Sequence, residues 1–327
     1  MFPHIRLSRL RRTDALRNLV KETVLTTNNF IYPVFVEENA AENYAIASMP
    51  GQYRIAEKNL YSHIKKLYKD GIRAIILFGI SHNKDESGSD SISKDGLLYR
   101  MIHTAKNAEP DMLVVADNCF CEYTSHGHCG ILKDGFVDND TTLHQLKVQA
   151  NICATAGCDM VAPSAMLDGQ VSAIRSALDE GGFFHIPIMS YAVKYASAFY
   201  GPFRDAANSA INANNIYTDR KTYQMDIANT REARLEARLD LHEAADILMV
   251  KPAGTSLDII KNLYDITDVP IAAYQVSGEY SAIKYAALAG ALDEESAMIE
   301  SLTVIKRAGA SIIISYFTPD IIKLLNI

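Results

Sequence analysis

The chain is poor in the features that would place it in several large classes. No apolar run is long enough to span a bilayer; the best, 74–80, has the length of a strand. Positive charge is in deficit, with 32 Lys and Arg against 39 Asp and Glu, a net charge of −7. Such a chain lacks the basic surface that neutralises nucleic-acid phosphates. Arg6, Arg9, Arg11 and Arg12 interrupt any apolar core that a secretory leader would need. The five cysteines are an odd number, and three of them crowd between 119 and 129. A disulfide framework is therefore disfavoured, and a reducing compartment with metal ligation fits better. No G-x-G-x-x-G or P-loop follows the first strand candidate, which weakens a nucleotide-binding assignment. The expectation is a cytoplasmic globular protein without nucleic-acid or membrane partners.

What is present is an ordinary globular composition, 48% hydrophobic and 22% charged, in 327 residues. That length suits one barrel domain with an extension. Eight short apolar, β-branched runs stand at 31–36, 73–78, 112–116, 159–162, 186–190, 247–250, 271–274 and 312–315. Helical patterns lie among them at 60–68, 97–106, 171–178, 232–243 and 296–307. Gly71, Gly157, Gly181-Gly182 and Gly309 close helices just before the next strand. Eight strands alternating with helices predict an α/β fold, a (β/α)8 TIM barrel over 29–327. A doubly wound open sheet is the alternative. Residues 1–28 differ: they are basic, with Leu7, Leu10, Leu16, Leu19 and Val20 at helical spacing. They read as an N-terminal arm that packs against another subunit, giving a homo-oligomer.

Barrel enzymes build their sites at the C-terminal ends of the strands, and the two longest insertions, 118–141 and 191–230, lie on that face. Lys251 ends the sixth strand, where desolvation would free its amine to attack a carbonyl. Lys194 follows the fifth strand, and its charge would depress the amine further. Two amines at one mouth suggest two Schiff bases and two carbonyl substrates joined together. Cys119, Cys121 and Cys129 form a C-x-C-x7-C cluster suited to Zn2+. Three thiolates leave a fourth position open, as in catalytic zinc sites; His126 or His128 would instead close the site and make it structural. In the second insertion Arg204 and Arg220 can grip a carboxylate, with Tyr195, Phe199, Tyr200 and Phe203 excluding water as a lid closes. Asp117, Ser164, Ser277 and Tyr316 fall with the lysines at strand ends, and Ser277 and Tyr316 are neutral donors for a second carboxylate.

The runs Met249-Val250-Lys251-Pro252, Phe199-Tyr200-Gly201-Pro202-Phe203-Arg204 and Gln275-Val276-Ser277-Gly278-Glu279-Tyr280, with the cysteine loop, resemble the porphobilinogen synthase (5-aminolevulinate dehydratase) family. The similarity runs along nearly the whole chain, including 11–17 in the arm. It implies a hydro-lyase of heme and porphyrin biosynthesis that condenses two 5-aminolevulinates to porphobilinogen with loss of two waters. Lys251 would carry the propionate-side substrate and Lys194 the acetate-side one. Arg204, Arg220 and Gln224 would meet the acetate-side carboxylate, Ser277 and Tyr316 the other. The resemblance also implies a homo-octamer assembled through its arms, zinc on the three thiolates, and an activating Mg2+ at Glu236, where a plain surface glutamate is the rival reading. At 165 and 170, where many members have aspartate and arginine, this chain has Ala165 and Gln170. A class I aldolase-like lyase would use one barrel lysine but not the second or the cysteines. A zinc-binding structural oligomer would use the cysteines and arm but neither lysine.

Overall fold

The computed structural model describes residues 3–211 and 215–325, so part of the asparagine-rich stretch 208–215 lies outside it. Eight parallel strands form the barrel: β1 (Phe30–Glu37), β2 (Ala74–Ile80), β3 (Leu113–Asn118), β4 (Met160–Pro163), β5 (Met189–Lys194), β6 (Ile247–Lys251), β7 (Ile271–Gln275) and β8 (Ile312–Ser315). Their order is β4-β3-β2-β1-β8-β7-β6-β5. A parallel bridge between Val161 and Ile188 joins β4 to the start of β5 and closes the ring. Closure excludes the doubly wound sheet.

Strands buried on both faces read as continuous apolar runs; β2 does so from end to end, and β6 and β7 do so up to their last residues, Lys251 and Gln275. Helices cover the outside. In α2 (Leu60–Lys69) the inward residues Leu60, Ile64 and Leu67 recur at helical spacing. Gly71, Gly157, Gly182 and Gly309 have positive φ, as the helix-closing role requires. No helix among the described residues is long and apolar enough to cross a membrane.

The fifth strand differs from expectation. It begins at Met189 rather than at 186 and runs on through Lys194, so this lysine belongs to the ladder. Its register carries a bulge: Ser190 pairs with Leu248, but Val193 pairs with Val250, leaving one extra residue on β5. The arm holds a 3-10 turn, Leu7–Arg11, and a short helix, α1 (Asp14–Leu19), with no buried residue in either. Ile5, Leu7, Leu19 and Val24 lie exposed there.

Candidate active site

Burial of Leu248, Met249 and Val250 fixes β6, and Pro252, which has no N–H for the ladder, follows Lys251 at its end. Lys251 sits in register with Lys194 on the neighbouring strand, and each is only 5% exposed. The bulge matters here. Residues three apart on a regular strand face opposite sides, yet Tyr191 and Lys194 both point inward, the Lys194 Nζ lying 5.4 Å from the Tyr191 ring centre. Lys251 Nζ lies 4.2 Å from the ring centre of Tyr274, 5.1 Å from Phe203 and 5.2 Å from each of Tyr191 and Tyr200. Burial, then the charge of Lys194, pulls the Lys251 amine down to about 7. An ordinary lysine near 10.4 is only about 0.04% free base at pH 7, so this shift turns a rare species into a major one.

Asp117 on β3 faces both amines. Ser164, just past β4, donates to its Oδ2 at 3.0 Å, and Lys194 donates to the Ser164 carbonyl. Burial and the nearby Glu122 push Asp117 up to about 7, against the pull of the lysines. Among the described residues its Oδ1 has no hydrogen-bond partner, nor does the Tyr191 hydroxyl.

Cys119, Cys121 and Cys129 are buried, with their sulfurs within 4.8 Å of one another and Cys119 and Cys121 at 3.4 Å. The loop that carries them is held by Gln149, which donates to the Cys119 carbonyl, and by Thr124, which donates to that of His128. Three sulfurs at this spacing fit a thiophilic tetrahedral metal such as zinc. The two histidines are otherwise engaged. His126 uses Nε2 on the Glu86 carbonyl and Nδ1 on the His128 N–H. His128 contacts the Tyr223 hydroxyl through Nδ1 and the Tyr217 carbonyl through Nε2. Of the two rings, that of His128 reaches the second insertion, and among the described residues neither belongs to the three-sulfur group. Cys153 and Cys158 are buried apart from that cluster, as small apolar residues.

The second insertion folds down over the amines. Pro202 starts the short helix α6 (Gly201–Ala206), which sets Phe203 edge-on against Phe78 at 5.0 Å between ring centres. Ser48 donates to Asp205 Oδ2, and Arg54 donates to the Asp205 carbonyl. Ser277 opens α9 (Ser277–Leu288) rather than ending β7. Its hydroxyl accepts from the Phe203 N–H at 2.8 Å and donates to the Phe199 carbonyl at 3.3 Å, so it fastens the lid. The Tyr316 hydroxyl meets that of Tyr274 at 3.0 Å. Beneath the lid a cavity of about 10 Å³ lies between Lys251, Lys194, Asp117, Glu122 and Arg220.

Arg220 is buried and donates to the carbonyls of Gly127 and Ser209, while among the described residues its Nε, the Nε of Arg204 and both side-chain polar atoms of Gln224 have no partner. Buried polar atoms are costly to leave unpaired, and three of these four are N–H donors gathered in one insertion. Glu236, on α7 (Arg231–His242), is half-buried beside an outer pocket that Asp168 and Glu232 also line. Burial, then Asp168, raises its carboxyl.

Tyr191, Tyr274 and Glu122 were not singled out in the sequence. The tyrosines read as ordinary strand aromatics, and only the barrel turns them toward Lys251. Glu122 carried one signal, an acidic residue directly beside a metal-type cysteine.

Residues 4–324 match the family model described as Delta-aminolevulinic acid dehydratase. The chain is 54% identical over 313 residues to the delta-aminolevulinic acid dehydratase of Escherichia coli (strain K12), covering 96% of this chain and 95% of that one. It is 48% identical over 318 residues to that of Halalkalibacterium halodurans, covering 97% and 96%. Among solved structures it is similar to the delta-aminolevulinic acid dehydratase (porphobilinogen synthase) of Toxoplasma gondii ME49 in complex with the reaction product porphobilinogen. That match has a TM-score of 0.94 and 41% identity, covering 98% of this chain and 92% of the other.

Proposed function

The chain belongs to the delta-aminolevulinic acid dehydratase family and condenses two 5-aminolevulinates to porphobilinogen, with loss of two waters, in tetrapyrrole biosynthesis; we propose that it does so through imines on Lys251 and Lys194. The observation that carries the mechanism is the pairing of two buried amines, in register on adjacent strands, in one cavity that Cys121 of the three-sulfur group also lines.

Lys251, free base in good part near neutrality, attacks the ketone carbon of the propionate-side substrate. The carbinolamine loses water to leave an imine, and the surrounding ring faces favour its protonated form. Lys194 acts in the same way on the second substrate. Asp117, poised near 7 and steadied by Ser164, takes and returns protons between the two. Arg204, Arg220 and Gln224 hold the acetate-side carboxylate by donating to it from Nε of each arginine and Nε2 of Gln224. Ser277 and Tyr316 orient the other carboxylate, Ser277 exchanging its lid contacts to do so. Zinc held by Cys119, Cys121 and Cys129 would supply Lewis acidity toward the acetate-side substrate. Glu236 would hold the activating magnesium, and the exposed apolar residues of 1–28 would pack on neighbouring subunits in a homo-octamer. A cytoplasmic location accords with the reduced thiols.

The test is direct. Purified protein given 5-aminolevulinate alone should form a pyrrole that colours with an aldehyde reagent, and the Lys251→Met and Lys194→Met variants should not. Undiminished pyrrole formation by either variant would remove that lysine from the mechanism.

A further inference from the structure

We propose that Glu279 is a positioning residue: its carboxylate clamps the exit of the Lys251 strand to the first turn of α9. The clamp sets how far apart the ketone and the carboxylate of the propionate-side substrate can stand. The inference rests on the reading that Lys251 takes that ketone while Ser277 and Tyr316 take that carboxylate. Glu279 uses its two oxygens on two different segments. Oε2 accepts from the Val276 N–H at 2.7 Å, directly before Ser277, and Oε1 accepts from the Gly254 N–H at 2.6 Å, just past Lys251. A glutamate that only capped its own helix would need the first bond alone. The second reaches the exit of another strand, and the approach is close: a Cβ on Gly254 would stand 2.5 Å from Oε1.

Each end of the clamp carries part of the site. At one end, the Lys251 carbonyl accepts from the Tyr195 N–H at 3.0 Å and from the Tyr200 hydroxyl at 3.2 Å. At the other, the first turn of α9 holds Ser277, and Tyr280 on that turn packs on Tyr316 with ring centres 5.8 Å apart. Strands β6 and β7 end at Lys251 and Gln275. Beyond the bond from the Ala253 N–H to the Tyr274 carbonyl, at 2.9 Å, Glu279 carries the connection on. Burial pushes its carboxyl up to about 7, and the N–H groups of Val276 and Gly254 pull the other way, because they reward the ionised form. In 5-aminolevulinate two methylenes separate the ketone carbon from the carboxylate carbon. A fixed separation between the amine and the carboxylate donors fits that span and rejects a longer one.

Two simple keto acids read the span: 4-oxopentanoate, with the substrate's two methylenes, and 5-oxohexanoate, with one more. The full-length protein, given equal amounts of both with borohydride, should carry the shorter acid on its Lys251 peptide in at least about 10-fold excess, the lower end of what one methylene is worth in a fitted site. Glu279→Gln keeps one acceptor oxygen and turns an amide NH2 toward a backbone N–H, so one bond of the clamp is lost. Gly254→Ala presses on Oε1, the end of a side chain that can swing aside, and leaves the Val276 bond available. It carries the test should the amide variant fold poorly. In both variants the excess should fall toward parity while Lys251 is still labelled. The parent's ratio in both, with or without a lower melting temperature, would overturn the clamp, reduce Glu279 to a helix cap and leave the Lys251 imine standing. Equal labelling by the two acids in the parent would overturn the clamp as well. No Lys251 label from either acid would overturn the imine reading and the clamp with it.

Discussion

At the scale of single residues, the chemistry comes from what the barrel does to ordinary groups. Lys251 is pulled to about 7 because burial and Lys194 both act against its charge. Borohydride added with 5-aminolevulinate should fix substrate mass on a peptide containing Lys251, and Lys251→Met should lose that label. The labelling rate should rise with pH through about 7 as the free amine forms, with Asp117 and Lys251 titrating as a pair. A rate that climbs only above pH 9 would mean an unshifted amine. The sign for stability follows from the same group. Between about 7 and 10.5 the unfolded chain binds the proton that folded Lys251 has released, so this lysine makes stability rise with pH across that window. Arg204 tells a second story. Its Nε is buried without a partner, and burial, then Arg220, pulls its guanidinium below the usual value. Arg204→Ala should raise KM by the loss of a charge-assisted contact worth roughly 1.5–3 kcal/mol. The melting temperature should not fall, since no satisfied bond is lost at Nε. A lower melting temperature with KM unchanged would make Arg204 structural.

At the scale of elements, the lid is seated by backbone fit as much as by side chains. A Cβ on Gly278 would stand 2.5 Å from the Phe199 carbonyl oxygen and 2.8 Å from its Cα, both backbone atoms that cannot swing away. Gly278→Ala should therefore lift the 197–203 segment from α9 while leaving the barrel intact. Protease should cut 194–220 earlier in this variant than in the parent, and substrate should protect it less. Equal cleavage of the two proteins would show that the lid does not depend on this contact. Lid seating and lid chemistry share residues: Ser277 both fastens Phe203 and stands where the second carboxylate is expected. Its hydroxyl must exchange partners as the lid works.

At the scale of the molecule, metal and fold are separable. The three sulfurs lie within the continuous core, yet as thiols they pack as small apolar groups. The eight-stranded ring closes without them. Chelation should abolish porphobilinogen formation while the melt moves by no more than about 1.5 °C, a shift of roughly 1 kcal/mol at about 2.1 cal/mol/K of unfolding entropy per residue. The stripped protein should still form the Lys251 adduct with its first substrate. Unfolding on chelation would make the site structural; loss of the adduct with the fold intact would mean that the metal also organises the first substrate's site.

Much of this protein was determined by its sequence alone. Apolar runs of strand length, separated by amphipathic helices that end in glycine, specify eight parallel strands, because strands buried on both faces need no alternation. The cysteine spacing and the lysine that ends an apolar strand are the signals for the proposed metal and amine chemistry, because thiolates and a desolvated amine are local properties. A class I aldolase reading leaves Lys194 and the cysteines unused, and a structural zinc reading leaves both lysines unused. Three matters were left to the tertiary structure. The bulge on β5 turns Tyr191 and Lys194 to the same side, and it arises from pairing with β6, which no window along the chain contains. Which partners the two histidine rings take was decided by residues distant in sequence, Glu86, Tyr217 and Tyr223. Glu122 joined the small cavity under the lid only when the loop closed on itself and set its carboxylate beside the Cys121 sulfur. Periodicity reports which face is buried; which groups meet inside depends on register and closure, and those belong to the whole ring.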